Sequence, residues 1–295
     1  MKKHIIFIIN PISGKGKGRF IESDIVDFFK DKPYRIEIIF AEYAGHAKEI
    51  VQDKINESPD IIVACGGDGT INEIAQGLIG SHVKLGIVPI GSGNGLASNL
   101  NIPKAIDLAL ENIKSDKLTT IDVGKVNDKY FFSNIGLGID AFVIERYTNK
   151  KQRNFIGYLK ATVWSFFNFI PVSLKVCFDQ NDFQEKEYFF VLCSNSDEAG
   201  YNISFTPDAK LNDGLLDVLC VEKLNLFELI YFFYAVLFNR LHLMKKAYIK
   251  QVKTISFESL SKNVKAQIDG ESVMLNTSKV EISVLPKALQ IIGGK

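Results

Sequence analysis

The first 125 residues alternate between short apolar runs and segments whose apolar residues recur at helical spacing. The apolar runs are His4–Ile9, Tyr34–Phe40, Asp60–Cys65 and Lys84–Ile90, and the helical segments are Arg19–Lys30, His46–Asn56, Ile71–Ile79 and Lys104–Ile113. Nearly all-apolar strands separated by helices predict a parallel sheet covered on both faces. Ligands of such sheets usually bind beyond the carboxyl ends of the strands. The expected ligand-binding segments are therefore the loops that follow the strands, residues 10–18, 41–46, 66–70 and 91–95.

The pattern changes after Leu118, where strand-like runs recur and helices become sparse. These runs are Leu118–Val126, Tyr130–Asn134, Ser173–Phe178, Glu187–Cys193, Leu215–Val221, Thr254–Glu258, Val264–Ile268 and Lys279–Leu285. They indicate a mostly antiparallel β domain. The predicted organisation is an α/β domain over residues 1–125 and a β domain over residues 126–285. A return of residues 286–295 to the first domain is left open.

Two helical stretches interrupt the β domain, Phe155–Ile170 and Asn225–Asn239. The second is apolar on nearly all sides, but Glu228 and Arg240 bracket only eleven residues. Since a membrane-spanning helix needs about 20 apolar residues, this stretch is not predicted to span a membrane. The favoured interpretation is a helix that packs across the β sheet, and the alternative is an interfacial or lipid-lining helix.

Composition narrows the class of protein. The chain has 295 residues, of which 46% are hydrophobic and 23% charged, and its formal net charge is +1. These values are ordinary for a globular protein and exclude the basic surplus typical of nucleic-acid binding. Four cysteines stand far apart without metal-ligand spacing, which fits a reducing compartment. The apolar run Ile5–Ile9 is too short for a signal peptide, so we expect a cytoplasmic protein.

The sharpest motif is Gly66-Gly67-Asp68-Gly69-Thr70, between a predicted strand and a predicted helix. Glycines allow a ligand close to the backbone, and a helix N-terminus favours anions such as phosphate. A carboxylate beside phosphates needs a Mg²⁺ between them or a proton to remove, and both needs arise in phosphoryl transfer. The structural alternative for Asp68 is a local cap in a tight turn. Thr70 and Glu73 match a capping box that would fix the helix start.

Two further glycine-rich loops follow strands of the same predicted sheet. Residues 10–18 contain Asn10 and alternate Gly with Lys, but they fail the spacing of a Walker A loop and of a dinucleotide fingerprint. Residues 91–95 read Gly-Ser-Gly-Asn-Gly and supply backbone donors, the Ser92 hydroxyl and the Asn94 carboxamide. Each loop alone is explained by a turn. Three such loops at one edge of one sheet favour a phosphate site.

The β domain holds weaker candidates. Asp269-Gly270-Glu271 lies between two strand-like runs, and Asp-Gly is a common hairpin turn, so a structural role is a strong alternative. Asp213-Gly214 is equally ambiguous, although Asp213 and Asp217 are close enough in sequence to hold a metal. Gly136 to Ala141 formally fits a dinucleotide pattern but lacks its parallel βαβ context, and that interpretation is rejected.

Taken together, these motifs resemble the diacylglycerol kinase catalytic-domain superfamily, which includes bacterial lipid kinases and sphingosine kinases. The matching residues, in the order of the family, are Asn10-Pro11 with Ser13-Gly14, Gly66 to Thr70, Gly91 to Asn94, Asp213-Gly214 and Asp269-Gly270-Glu271. The resemblance implies an N-terminal α/β nucleotide-binding domain like that of phosphofructokinases and NAD kinases, followed by a C-terminal β-sandwich. It also implies ATP and Mg²⁺ as cofactors and a lipid substrate at a membrane surface.

The resemblance assigns roles residue by residue. It implies a structural Mg²⁺ held by the Asp213 side chain and by the carbonyls of Lys210 and Leu215. It assigns Asp269 and Glu271 as catalytic carboxylates, with Asp68 in the same group. The residues assigned to the nucleotide are Asn10, Gly66, Gly67, Asp68, Gly69, Thr70, Ile71, Asn72, Ser92 and Asn94.

The chain departs from the family pattern at two positions. Bacterial diacylglycerol kinases usually carry an acid after the asparagine of the third loop, whereas Gly95 stands here, as in long-chain-base kinases. Many members place a threonine four residues before the Gly-His-Ala of the second loop, whereas this chain has Ala41. The class of lipid and any carboxylate network through position 95 are therefore left open.

The predicted activity is phosphorylation of a lipid primary hydroxyl by ATP, with Asp269 or Asp68 accepting the proton. The alternatives are an NAD kinase, which shares the motif of residues 66–70, and a non-catalytic lipid- or nucleotide-binding module. The basic segment Asn149–Arg153 and the aromatic stretch after it favour peripheral contact with an anionic inner membrane face, or a solvated loop. No nucleic-acid partner is expected, and the oligomeric state, homodimer or monomer, is left open.

Overall fold

The computed structural model of this chain describes residues 2–91, 93–148, 155–169, 172–180, 182–197, 204–259 and 263–293. The chain forms two compact units. The first unit contains residues 1–121 and 287–295, and the second contains residues 122–286. The chain leaves the first unit within strand β5 (Leu118–Val126) and returns to it within strand β15 (Lys279–Ile292).

A parallel sheet forms the centre of the first unit. Its strands are β1 (Lys3–Ile9), β2 (Tyr34–Phe40), β3 (Ile61–Gly66) and β4 (Lys84–Pro89). The C-terminal part of β15 pairs in parallel with β4, and the order is β15-β4-β3-β1-β2. Ile5 to Ile9 of β1 are fully buried, as expected for a strand with helices over both faces.

Helices connect these strands. They are α1 (Ser13–Gly16), α2 (Ile21–Phe29), α3 (His46–Lys54), α4 (Asp68–Leu78), α5 (Gly95–Asn99) and α6 (Ile106–Ser115), with 3₁₀ turns at Lys17–Arg19 and Ile55–Glu57. Helix α2 buries Ile21, Ile25 and Phe29, which recur every four residues and so lie on one face. Element α1 is a turn rather than a regular helix, because Gly14 and Lys15 have left-handed backbone angles.

The second unit is built on antiparallel strands, in agreement with the sequence prediction. They are β6 (Lys129–Phe131), β7 (Asn134–Gly138), β8 (Val172–Phe178), β9 (Asp182–Ser194), β10 (Leu216–Glu222), β11 (Ala247–Val252), β12 (Thr254–Ser259), β13 (Val264–Ile268) and β14 (Glu271–Leu275). The pairing path runs β14-β13-β7-β9-β8-β12-β15, and β10 joins β9 to β11. The long strand β9 is central because it pairs with β7 and β8 along one edge and with β10 along the other.

Two apolar layers lie on these strands. One cluster fills the β-sandwich and includes Phe131, Tyr188 and Phe257. The other lies between the strands and helices α7 (Ile139–Thr148), α8 (Phe155–Asn168) and α9 (Leu226–Leu237) and includes Phe190 and Phe232. A 3₁₀ turn at Leu241–Leu243 follows α9. Within the described part of the chain, no helix is long and apolar enough to cross a membrane.

Most predicted elements are present, and the differences have local causes. Helix α7 was not predicted, because Gly136 and Gly138 precede it closely and indicate turns or strand ends. Strand β15 extends beyond Leu285, where the sequence predicted its end, and it passes through the exposed Pro286. A proline is tolerated in a strand where its missing N–H is not needed for pairing.

Candidate active site

Three loops meet at the carboxyl edge of the sheet in the first unit, as the sequence predicted. Gly67 and Gly91 lie backbone to backbone, and a Cβ on Gly91 would stand 2.6 Å from the Cα of Gly67. A Cβ on Gly14 would stand 2.6 Å from the carbonyl oxygen of Ile90. Glycine is required at these positions because no larger residue allows the backbones to approach so closely.

The capping box predicted at the start of helix α4, with Thr70 and Glu73, is wrong. The helix begins at Asp68 and its N-cap is Gly67, which makes no side-chain cap. The Thr70 hydroxyl instead accepts a hydrogen bond of 3.1 Å from the Asn10 side chain. The Glu73 carboxylate accepts one of 2.9 Å from the backbone N–H of Gly45. Both side chains therefore tie α4 to neighbouring loops of the same edge.

Asp68 holds the third loop in place. One carboxylate oxygen accepts the backbone N–H of Asn94 at 2.9 Å, and the other accepts that of Gly95 at 2.6 Å. A Cβ on Gly93 would lie 2.6 Å from the Asp68 carboxylate, so the loop passes directly over it. Asp68 thus caps the start of α5, which is the structural role considered for it, although on a different helix.

The same edge offers groups that suit a nucleotide and a metal. The first N–H groups of α4 have no partner within the helix and favour an anion. The space next to Gly69 is open, since a Cβ there would meet no atom within 4 Å. The side-chain oxygen of Asn94 is buried without a hydrogen-bond donor among the described residues. Oxygen acceptors beside free N–H groups fit a phosphate together with a hard cation.

In the second unit, Asp269 forms the predicted hairpin turn and also anchors a neighbouring segment. Asp269 and Gly270 have φ angles of 47° and 84°, the left-handed pair that a tight hairpin turn requires. The Asp269 carboxylate accepts the backbone N–H groups of Phe132, Ser133 and Asn134 at 2.9, 2.8 and 3.1 Å. Its oxygens are therefore engaged as acceptors for the start of strand β7.

Glu271 follows two residues later and has a different environment. It begins strand β14 opposite Ile268, and its side chain is exposed. Its carboxylate makes no hydrogen bond or ion pair with the other described residues. Of the two carboxylates in this turn, that of Glu271 is the more open to a substrate, because Asp269 is partly buried and accepts three backbone N–H groups.

A polar chain that the sequence analysis did not predict adjoins the Asp269 turn. Gln267 donates from its side chain to the Asn134 side-chain oxygen at 2.5 Å and accepts from the backbone N–H of Gly270 at 2.8 Å. It also hydrogen-bonds Asp140. Burial raises the pKa of Asp140 to about 7, and the Gln267 hydrogen bond opposes that shift. The available sequence signal for this polar chain was Gln267, a polar residue within the predicted strand Val264–Ile268.

The loop predicted to hold a structural metal is fixed to a buried acid. Asp122 accepts the Gly214 N–H at 2.6 Å and donates its own backbone N–H to the Leu211 carbonyl at 2.6 Å. Asp213 accepts the Leu215 N–H at 3.0 Å. The pKa of Asp217 is raised to about 6, chiefly by burial and to a smaller extent by the negative charges of Asp213 and Asp208, while a hydrogen bond from Gln251 opposes the shift. Asp208 and Asp213 thus lie near enough to act on Asp217 electrostatically, but these three described carboxylates do not form a compact group of metal ligands.

The remaining predicted residues are located as follows. Ile71 is fully buried, so only its backbone could face a ligand, whereas Asn72 is partly exposed on the same helix. Lys210 and Asp213 are exposed, and Leu215 is partly buried beside them in sequence. Ser92 and residues 149–154, which include the predicted basic segment, lie outside the described residues.

Two models of known protein families match successive parts of this chain. Residues 4–126 match the family model for the diacylglycerol kinase catalytic domain. Residues 133–293 match that for the YegS C-terminal NAD kinase beta sandwich-like domain. Together the two matches cover most of the chain.

Proteins similar to this chain are named diacylglycerol kinase. A diacylglycerol kinase of Staphylococcus aureus (strain bovine RF122 / ET3-1) is 30% identical over 92% of this chain and 87% of its own. A diacylglycerol kinase of Staphylococcus saprophyticus is 28% identical over 92% of this chain and 90% of its own length. A solved diacylglycerol kinase of Bacillus anthracis str. Sterne shares the fold, with TM-score 0.72, 21% identity and coverage of 99% and 97%. Yeast NADH kinase shares it more distantly, with TM-score 0.52, 11% identity and coverage of 100% and 84%.

Proposed function

Because this chain belongs to the diacylglycerol kinase family, we propose that it transfers the γ-phosphoryl group of ATP to a primary hydroxyl of a lipid. The lipid is of the diacylglycerol or long-chain-base type. The observation that carries the proposal is the loop edge of the first unit, where Asp68 fixes the third loop beside the open start of α4. Such an edge suits phosphates, which a phosphotransferase must hold in line.

The nucleotide contacts follow from the groups at that edge. The backbone N–H groups at the start of α4 would bind phosphate oxygens, and the open space at Gly69 would admit them. Asn10 and Thr70, which are hydrogen-bonded to each other, would fix the first loop against this helix. The three loops are already packed together, so little conformational entropy would be lost when ATP binds.

The residues present also fit Mg²⁺. A carboxylate has about four acceptor positions, so Asp68 retains capacity after its two backbone contacts. Asp68 and Asn94 would supply protein oxygens to the catalytic ion, and Asp213 with the carbonyls of Lys210 and Leu215 would hold the structural one. Bound Mg²⁺ neutralises negative charge on the phosphates during transfer.

For the proton acceptor we choose Glu271, one of the catalytic carboxylates predicted from the sequence, over Asp269 and Asp68. Asp269 accepts three backbone N–H groups and Asp68 accepts two, so taking a proton would break contacts that hold neighbouring segments. Glu271 is exposed and loses no such contact. Its carboxylate would accept the hydrogen of the lipid hydroxyl as the oxygen attacks phosphorus, and Asp269 would position the turn that carries it.

The acceptor lipid is tested by measuring ADP release with ATP and Mg²⁺. The panel is micellar diacylglycerol, monoacylglycerol, sphingosine and ceramide, with soluble NAD⁺ as the comparison for an NAD kinase. We expect turnover with one lipid class and none with NAD⁺. Turnover with NAD⁺ alone would overturn the lipid assignment, and lipid binding without ADP release would indicate a non-catalytic module.

A further inference from the structure

Helix α9 exposes an unusually apolar outer face. Phe227 is 82% exposed, Leu237 71%, Ile230 62% and Phe238 61%. The exposed large apolar residues of this helix and the following turns are Leu226, Phe227, Ile230, Tyr231, Tyr234, Leu237, Phe238 and Leu243. They recur at helical spacing and so form one stripe, which we call the α9 face. A contiguous apolar surface of this kind usually marks an interaction site.

Helix α9 is held in place by packing on its buried side and by a capping box at its start. The side of the helix opposite the α9 face buries Phe232, Ala235 and Val236 in the layer that covers the sheet. A capping box fixes the start of the helix, since the Asn225 side chain accepts the Glu228 N–H at 2.9 Å and Glu228 accepts the Asn225 N–H at 2.8 Å. The exposed aromatic side chains therefore lie on a rigid surface.

The rim of this face is basic. Lys223 precedes the helix, and Arg240 and Lys245 follow it. All three are exposed, and none of them pairs with an acid among the described residues. The nearby acids are neutralised, because Glu228 pairs with Lys246 at 2.9 Å and Glu222 pairs with Lys186 at 2.6 Å. An apolar stripe between positive ends complements an anionic lipid surface.

We propose that the α9 face docks this protein on an anionic lipid bilayer, with its apolar side chains in the headgroup region. The docking would bring the proposed kinase to its lipid and in that respect rests on the proposed function, although docking itself needs no turnover. Tyr231 and Tyr234 suit this position because their rings are apolar and their hydroxyls polar. Lys223, Arg240 and Lys245 would contact anionic headgroups.

A second copy of the chain is a poorer occupant. In a two-fold symmetric dimer the same patch faces itself, so the α9 faces would meet each other. With both ends of the face basic and the nearby acids paired within the chain, like charges would oppose like charges. A bilayer with anionic lipids has no such conflict.

The test is co-sedimentation of the full chain with phosphatidylcholine vesicles that contain from zero to 40% phosphatidylglycerol, without ATP. We expect binding that increases with phosphatidylglycerol and weakens at high salt. The variant F227Q/I230Q should bind vesicles at least tenfold more weakly, from the apolar area lost. K223Q and K245Q should each weaken binding about fivefold.

The matched control is F183Q, which removes another highly exposed phenylalanine of the second unit, 76% exposed on β9. It should bind vesicles like the unchanged protein. All substituted side chains are exposed, so the thermal unfolding midpoints should agree.

The docking proposal is overturned if F227Q/I230Q binds vesicles as tightly as F183Q. It is also overturned if sedimentation velocity shows a dimer that F227Q/I230Q converts to a monomer, since the face would then be a subunit interface. ADP release with water-soluble short-chain lipids of both proposed types, a diacylglycerol and a sphingosine, separates the two proposals. A docking variant that keeps this activity but binds vesicles weakly has lost docking alone. If the unchanged protein binds vesicles but releases no ADP, the kinase proposal is overturned and the docking proposal is not.

Discussion

Two aspartates beside glycines, one in each unit, have the same structural role in different settings. Asp68 follows a buried parallel strand and accepts the backbone N–H groups of Asn94 and Gly95. Asp269 lies in a hairpin turn and accepts those of Phe132, Ser133 and Asn134. In both regions the aspartate joins two backbone segments that are distant in sequence.

The regions differ in what the anchored segments expose. In the first unit, anchoring leaves open backbone N–H groups and the space at Gly69, which suit binding. In the second, it leaves the exposed carboxylate of Glu271 two residues away, which suits proton transfer. The comparison teaches that the most conspicuous acid of a motif can hold two backbone segments together and thereby leave neighbouring groups open to a ligand.

The largest expected effect is on turnover in E271Q. Removing a general base typically costs about 10²–10⁴ in rate, so kcat should fall by that factor. The free energy of unfolding should stay unchanged, because the Glu271 side chain is exposed. ADP release and urea unfolding measure the two quantities. The control E258Q replaces another exposed glutamate of the same unit and should retain full turnover.

D269N should instead reduce stability. An asparagine keeps one acceptor oxygen but turns an NH₂ group towards a backbone N–H, so at least one donor loses its partner. An unsatisfied buried donor costs about 1–3 kcal/mol in the free energy of unfolding. Urea unfolding should show a loss of about 2 kcal/mol. An unchanged free energy of unfolding would argue against the anchoring role.

D140N should change how stability depends on pH. Because burial raises the pKa of Asp140 to about 7, the folded state holds its proton more tightly than the unfolded state. The stability from this group is complete below about pH 4 and is lost as pH rises through 7. The free energy of unfolding of D140N, relative to that of the unchanged protein, should therefore increase by about 4 kcal/mol between pH 4 and pH 8, since the pKa of Asp140 is raised from 3.8 to about 7. A gap that does not vary with pH would contradict a raised pKa.

The smallest effect on folding is expected for G69A. The added methyl group meets no atom within 4 Å, and alanine favours a helix, so stability should rise by about 0.5 kcal/mol. If the open space admits phosphates, the KM for ATP should increase about tenfold. The contrasting variant G91A should unfold more readily, because its methyl group would press on the Gly67 backbone. A G69A protein with an unchanged KM would show that the space is not used.

Local patterns predicted the regular elements well and the side-chain partners poorly. Strand Tyr34–Phe40 has the predicted bounds because its apolar run is flanked by turn residues. The capping box at Thr70 and Glu73 failed because their partners, Asn10 and Gly45, come from other loops. A capping box does occur at Asn225 and Glu228. Spacing within one segment cannot reveal a partner that the fold brings from elsewhere.

The same limit applies to the candidate site. The convergence of the three glycine-rich loops was predictable, because parallel strands end at one edge. Our proposal of Glu271 over Asp68 and Asp269 could not be made from the sequence, because it depends on which carboxylate already accepts backbone N–H groups. For Asp269 those groups lie 135 to 137 positions away in sequence.

The central claim is that the anchoring aspartate and the proton acceptor of the hairpin are different residues. It is tested most directly by single-turnover phosphoryl transfer with D269N and E271Q, at saturating ATP and lipid and well below both unfolding midpoints. We predict a loss of at least a hundredfold in E271Q and a clearly smaller loss in D269N, which alone is less stable. The reverse order, with D269N inactive and as stable as the unchanged protein, would contradict the claim.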